Sequence, residues 1–407
     1  MRPTVNRSQA LLARARAVDA MIDARPDLFF TGFGRLGGFP LFARRAAGAY
    51  LWDADSNRYI DFLLGYGSVI LGHAHPAVRR AVARQGRTLG DNPTLLNLAN
   101  IELAERLVSL CPGVEQVTFF KTGSDATDAA VRLARAITGR RLVLRWGMNG
   151  WHDWCAPVGT GVIAESRAAT LALHYGDTAQ AERIFRAQGA QIAAVVVMPY
   201  EIEAPDRAYL AALRALCDSH GALLVFDEIR SGFRIDLGGA QRVTGITADL
   251  ATYGKAMANG YAISALGGPR AHMRHILELG LTITYFRQPA AMAAAVATLD
   301  ALAALDGPAR LEGLGRRLLH GLQAAADAAG IPARAIGQPA TPFLAFDYGD
   351  DARDARAMRL FCNAMLDRGM LVTPAHHWFL CTAMTEDDID QAVDASRGAM
   401  RELGRAF

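Results

Sequence analysis

Three short apolar runs in the middle of the chain, QVTFF (116–120), AAVVVMPY (193–200) and ALLVFDEI (222–229), are each bounded by helix-like segments, and the last is continuously apolar until it ends in Asp227-Glu228. A strand with one wet face alternates with period two, so a continuous run belongs to a strand covered on both faces, as in a parallel sheet flanked by helices. The intervening sequence agrees: Leu210, Leu213, Leu216 and Cys217 recur at helical spacing, and His220-Gly221 closes the element. Residues 65–305 are therefore expected to form a large α/β domain with a mostly parallel sheet. Residues 1–64 predict a helix and then a hairpin, with AYLWD and RYIDF flanking the turn ADSN. Residues 306–407 predict helices around FLAFDYG and a last helix opened by Thr385 with acids in its first turn. The two ends are expected to make one smaller α+β domain.

A chain of 407 residues that is 51% hydrophobic can bury both cores. The net charge of +3, with acids and bases interspersed, argues against nucleic acid or a membrane surface as partners, and no apolar run reaches the length of a span. Cys111, Cys155, Cys217, Cys362 and Cys381 are scattered, with no CxxC pair. They predict reduced thiols in a cytoplasmic setting and no metal site.

The basic residues carry more information. Of 43 basic side chains only two, Lys121 and Lys255, are lysines. A lysine differs from arginine in being able to lose its proton when desolvated and to attack an aldehyde. Lys255 ends the short run LATYGK, 28 residues after Asp227, which ends ALLVFD. In parallel sheets ligands sit beyond the carboxyl ends of strands, where both fall. Upstream, QVTFF runs into KTGSDATDAAVRLARAITGR, in which Gly123 permits a tight turn and Ser124 can cap a helix whose N-terminus suits a phosphate. A capped helix and a solvated pair of acids are the plain alternatives for each feature alone. A phosphate cradle, a carboxylate for a pyridine nitrogen and a Schiff-base lysine are together the parts of a pyridoxal 5′-phosphate (PLP) enzyme. Lys121 reads as a surface salt-bridging residue.

These segments are recognisable. GAYLWDADSNRYIDF, ILGHAHPAV, KTGSDATDAAVRLARAITGR, VFDEIRSGFRIDLGGAQ, TADLATYGKAMANGY and TYFRQPAAMAAAVATLDAL resemble the class III (fold-type I) PLP-dependent aminotransferases, particularly the glutamate-1-semialdehyde aminomutase-like branch. The resemblance implies that fold, and assigns the Schiff-base role to Lys255, the pyridine-nitrogen partner to Asp227, the ring-packing position to Ile229 and the phosphate turn to Gly123 and Ser124. It implies that Thr284 reaches the phosphate of a neighbouring subunit, hence a homodimer with shared sites. It places Met148 and Asn149 at the cofactor, where the family has an aromatic residue followed by histidine. Tyr66, Trp151, Tyr200 and Glu201 are then candidates for the substrate pocket.

Departures from the family pattern accompany this. The chain reads Met148-Asn149-Gly150-Trp151-His152-Asp153-Trp154, carries Met198-Pro199 where relatives have Glu-Pro, has Tyr66 where close relatives have tryptophan, and differs again at Arg287 and Gln288. His152 reads as a hydrogen-bonded structural histidine, and the adjacent His376 and His377 cannot both face one way, so no metal site is expected there. The function implied is amino transfer from an amino-acid donor to a carbonyl acceptor such as a sugar, aminocyclitol or other specialised metabolite. An aminomutase, a racemase or decarboxylase on the same fold, and a non-catalytic nucleotide-binding protein are the alternatives.

Overall fold

The first sheet is organised by the ADSN turn. Asp53 Oδ1 accepts from the backbone N–H groups of Asp55 (3.0 Å) and Asn57 (2.8 Å), and the carboxylate of Asp55 accepts from Arg7 N (2.7 Å) and Ser8 N (2.9 Å), capping the helix Asn6–Arg16 from outside its own sequence. This computed structural model describes residues 4–24, 42–374 and 376–407. The parts of the N-terminal reading on residues 1–3 and 25–41, and Ala375 of the TPAHHWFL stretch, lie outside them.

The chain divides into two compact units, Met1–His75 with Ala309–Phe407 and Pro76–Pro308. In the smaller, β1 (Ala43–Ala47), β2 (Tyr50–Asp53) and β3 (Arg58–Asp61) form an antiparallel meander, with β13 (Met370–Leu371) added parallel to β3. A separate hairpin joins β11 (Ala333–Ile336) to β12 (Phe343–Phe346). The final helix, Glu386–Leu403, starts in a capping box between Thr385 and Asp388. Residues 65–75, expected with the large domain, group with this unit, where Gly48 and His73 exchange backbone hydrogen bonds of 2.9 and 2.8 Å.

Leu64, Gly65, Tyr66 and Gly67 all have positive φ (48°, 59°, 56° and 84°), a left-handed turn that costs its two side-chain-bearing residues about 1–2 kcal/mol each. Asp61 holds the turn's entry, Oδ1 accepting from Leu63 N (2.8 Å) and Leu64 N (3.0 Å) while Oδ2 bonds His73 Nε2 at 2.8 Å. Gly67 has no alternative here, because a Cβ would sit 2.4 Å from the Phe379 ring.

In the larger unit, seven strands lie in the order β4 (Gln116–Phe120), β10 (Ser264–Gly268), β9 (Leu250–Tyr253), β8 (Leu223–Asp227), β7 (Ile192–Val197), β5 (Leu142–Trp146) and β6 (Thr170–Ala172). β10 is reversed, pairing antiparallel with β4 and β9, while the other neighbouring pairs are parallel. Every residue of β7 and β8 is buried, as continuous apolar runs require. The crossover helix Arg207–His220 joins them and ends at Gly221 in the left-handed conformation. The helix Gly123–Thr138 lays Ala130, Leu133 and Ala134 into a core with Val143, Val196, Val225 and Leu266. Its cap is Thr122 and not Ser124: the Thr122 side chain accepts from Asp125 N while Asp125 reaches back to Thr122 N, which leaves Ser124 in the first turn. All five cysteines are buried.

Substituting Gly67→Ala is expected to lower the stability of the smaller unit by roughly 2–4 kcal/mol, from strained backbone plus overpacking against Phe379. Chemical denaturation of the purified variant checks this; a loss under about 0.5 kcal/mol, the range of ordinary surface changes, contradicts it.

Candidate active site

The carboxyl ends of β8 and β9 bring the central groups together. Asp227 pairs in register with Thr252, so the last residue of β8 faces the strand that delivers Lys255 three residues later. Asp227 is 3% exposed. Its Oδ2 accepts from Asn149 Nδ2 at 2.8 Å, and its Oδ1 accepts from Ile229 N at 3.2 Å and Thr252 Oγ1 at 3.3 Å. Burial pushes the carboxyl's pKa up, while the Asn149 bond, the charge of Lys255 and the two remaining donors pull it down.

Lys255 follows Gly254 into a 3-10 turn, Lys255–Ala258, and takes a positive φ of 42°. A side-chain-bearing residue in that region is strained and is held there by its surroundings. Desolvation lowers the ammonium to about 8; Asp227 opposes the shift, and the charges of Arg230 and Arg234 add to it. At pH 7 roughly a tenth of such an amine is neutral, against well under a thousandth of an ordinary lysine.

Asn149 is buried at 2% exposure on the loop after β5, where its carbonyl accepts from Thr127 Oγ1 at 2.6 Å. Its Oδ1 is buried without a partner among the described residues. The same loop closes over the first turn of the helix Gly123–Thr138: Gly150 has φ +123°, and a Cβ there would meet Ser124 Oγ at 2.6 Å. At Gly123 a Cβ would lie 3.3 Å from Ile229, so Ile229 packs against the turn that leads into the helix N-terminus.

The site therefore unites Lys255, Asp227, Asn149, Ile229, Gly123 and Ser124. Other sequence candidates stand differently. The Met148 side chain is 64% exposed, and its backbone N–H donates to Met198 Sδ at 3.1 Å. Trp151 is 71% exposed, with its ring edge-on to His152 at 5.3 Å. His152 Nδ1 lies 3.9 Å from Asp128, an ion-pair separation too long for a hydrogen bond. Tyr200 is 1% exposed, and Glu201 contributes its carbonyl, which accepts from Arg230 Nη2 at 2.7 Å, rather than its exposed carboxylate. Thr284 is exposed in the loop before the helix Pro289–Ala304, its carbonyl accepting from Asn92 Nδ2 at 3.2 Å. Tyr66 belongs to the smaller unit, 5.5 Å edge-on from His376. Lys121 makes no salt bridge among the described residues: its ammonium donates to Ala262 O (3.0 Å) and Gln288 Oε1 (2.9 Å), and burial lowers its pKa.

Thr252, Thr127 and Arg230 went unread in the sequence. Thr252 could have been found by counting strand register back from Lys255; Thr127 and Arg230 carry no local signal, one lying inside a helix and the other being one arginine among many.

The family model described as Aminotransferase class-III matches residues 34–152 and 165–397. The chain belongs to the class-III aminotransferases. This class-III aminotransferase is 33% identical over 374 residues to a protein named 3-aminobutyryl-CoA aminotransferase from Cloacimonas acidaminovorans, covering 90% of each. It is 36% identical over 441 residues to one named glutamate-1-semialdehyde 2,1-aminomutase from Laribacter hongkongensis, covering 98% of this chain and 100% of that protein. The solved structure of FumI from Sphingopyxis sp. MTA144, described as a PLP internal aldimine form, superposes with a TM-score of 0.90 at 32% identity over 98% of this chain and 97% of that one. The fold is that of the fold-type I PLP enzymes.

Pyridoxal phosphate is the cofactor of this class, and the residues fit it. The lone buried Oδ1 of Asn149 beside Asp227, the helix N-terminus at Ser124 and the desolvated amine of Lys255 are the acceptor, anion site and nucleophile that such a molecule would use. Because only the neutral amine attacks a carbonyl, the rate of PLP uptake by apoprotein is expected to rise with pH and level off above pH of about 8. Stopped-flow absorbance after mixing apoprotein with PLP checks this; a rate still climbing toward pH of about 10.5, the value of an ordinary lysine, contradicts it.

Proposed function

We propose that this class-III aminotransferase moves an amino group from an amino-acid donor to a carbonyl acceptor in two half-reactions at one site, built on Lys255 and Asp227. The observation that carries this reading is the pairing of a lysine amine lowered to about 8 with a buried carboxylate on the neighbouring strand, beyond the carboxyl ends of a parallel sheet.

Bound PLP would supply an electron sink for the carbon that loses its proton. The chain's own residues do the rest. Asp227, fixed by Asn149, Thr252 and the Ile229 N–H, holds a proton on the ring nitrogen by presenting a buried negative charge to it. The helix N-terminus at Gly123 and Ser124 would hold the phosphate, and Ile229, packed by Gly123 and Gly254, would keep one face of the ring apolar and dry. Lys255 Nζ would take up and give back the proton of the donor's carbon, a task suited to an amine lowered to about 8.

The wider setting is part of the same reading. Thr284, exposed before the helix Pro289–Ala304, would meet the phosphate held by a second copy, making the enzyme a homodimer with shared sites, working in the cytoplasm. The exposed Trp151 supports a sugar or aminocyclitol as acceptor, because an indole face stacks on a polar ring. The aminoacyl thioester and the amino aldehyde in the relatives' names are the competing classes.

Substituting Lys255→Arg is expected to abolish turnover while leaving thermal stability within a few degrees, since a guanidinium neither loses its proton nor attacks a carbonyl. Asp227→Asn is expected to lower kcat by a factor on the order of 100 or more, by removing the charge that keeps the ring protonated. A screen of amino donors for loss of cofactor absorbance, followed by carbonyl acceptors for its recovery, measures both. Appreciable transamination by Lys255→Arg contradicts the assignment, and rearrangement of one amino aldehyde without an external donor would favour the aminomutase.

A further inference from the structure

Arg230 is a buried charge in the larger unit that the cofactor roles leave unused. It is 9% exposed, and it follows Ile229 just beyond the end of β8. Its Nη2 donates to the carbonyl oxygens of Tyr200 and Glu201, just past β7, and its guanidinium carbon lies 4.4 Å over the centre of the Tyr200 ring. These contacts fix the plane of the guanidinium without neutralising it, because both acceptors are uncharged. Among the described residues no carboxylate lies within ion-pair distance of Arg230, and its Nε is buried with no hydrogen-bond partner. A buried guanidinium left in that state is costly, and the cost falls when an anion arrives.

Neighbouring side chains indicate which anion. Ile229 points toward Gly123 and Gly254, where Cβ atoms would lie 3.3 and 3.0 Å from it, so it faces the phosphate turn. Arg230 crosses the opposite way, to the end of β7. The two consecutive residues thus separate the helix N-terminus that suits a phosphate from the guanidinium, and Arg230 is left for a different oxyanion. Arg230 nevertheless directly follows Ile229, which packs on Gly254, the residue before Lys255, so an anion held there would lie on the same side of the sheet's carboxyl edge as the reacting amine.

We propose that Arg230 is a specificity-determining residue whose free Nε–H edge takes a carboxylate of the amino substrate. Arginine's planar fork suits a carboxylate, and Tyr200 beneath it preorganises the plane. The inference rests on the amino-transfer reading above and assigns the residue that would hold the donor's carboxylate.

The holoenzyme tests it in two stages. Propionate and succinate, which carry carboxylates and no amine, are titrated against the visible absorbance of the bound cofactor and against thermal unfolding. Loss of that absorbance is then followed in single turnovers with β-alanine, L-alanine and L-glutamate, and with sec-butylamine, which has an amine and no carboxylate. The wild-type enzyme is expected to bind the acids saturably. Arg230→Gln is expected to weaken acid binding and raise the half-saturating amino-acid concentration on the order of 10- to 100-fold, with sec-butylamine changed by a clearly smaller factor, the part that comes from removing a charge near Lys255. Arg230→Lys, which keeps the charge without the fork, should fall between them, and it serves if the glutamine variant does not fold. A wild-type enzyme indifferent to both acids, or equal losses for amino acids and sec-butylamine, overturns the proposal. Reduced cofactor retention with unchanged acid binding overturns it too, by assigning the guanidinium to the cofactor. Failure of every amine to discharge the cofactor would instead strike the amino-transfer reading, on which the acid titration does not depend.

Discussion

A carboxylate buried at the end of a parallel strand is the constraint around which the larger unit is arranged. Taking the Asp227 charge out of water costs several kcal/mol unless donors surround it. The chain supplies three, from three different places: a side-chain amide on the loop after β5, a hydroxyl on β9 and a backbone N–H two residues on. Each donor needs its own support. Asn149 is in place because Thr127, on the helix after β4, bonds its carbonyl, and because Gly150 lets the loop pass over Ser124 without a clash. One buried charge therefore ties together β9 and the elements following β4, β5 and β8.

The same low-dielectric setting gives Lys255 its chemistry. Desolvation lowers the amine, and Asp227 restrains that fall, so the two groups set each other's charge state. An arginine at position 255 would be fully charged in the same place. The positive φ at Lys255 and the left-handed turn at Leu64–Gly67 belong to the same pattern, in which strained backbone stands where packing over-determines it.

Much of this was legible in the sequence, for specific reasons. Burial on both faces makes β7 and β8 continuous apolar runs, so the sheet's centre could be read, and an acid or lysine ending such a run marks a ligand-facing edge. The antiparallel β10 could not be read, because Ser264–Gly268 includes two adjacent glycines, a composition that local preference assigns to a turn and that only neighbouring strands turn into a ladder. Ser124 looked like the helix cap, since either hydroxyl could serve; the choice of Thr122 follows from the reciprocal bond to Asp125, three residues on. Pocket residues were the least legible. Tyr200 and Glu201 contact Arg230 through a ring face and backbone carbonyls, and such contacts leave no trace in residue type. Exposure likewise separates Met148 from Asn149, which are adjacent in sequence and opposite in burial.

The central claim is that Lys255 is the residue that bonds the cofactor, at the site Asp227 organises. Reduction of the yellow holoprotein with borohydride, followed by proteolysis and mass mapping of the modified peptide, tests it most directly. The account predicts a single phosphopyridoxyl group on Lys255 in the peptide containing ATYGKAMANG. Label on Lys121, or a protein that takes up PLP without forming a reducible bond, would contradict it.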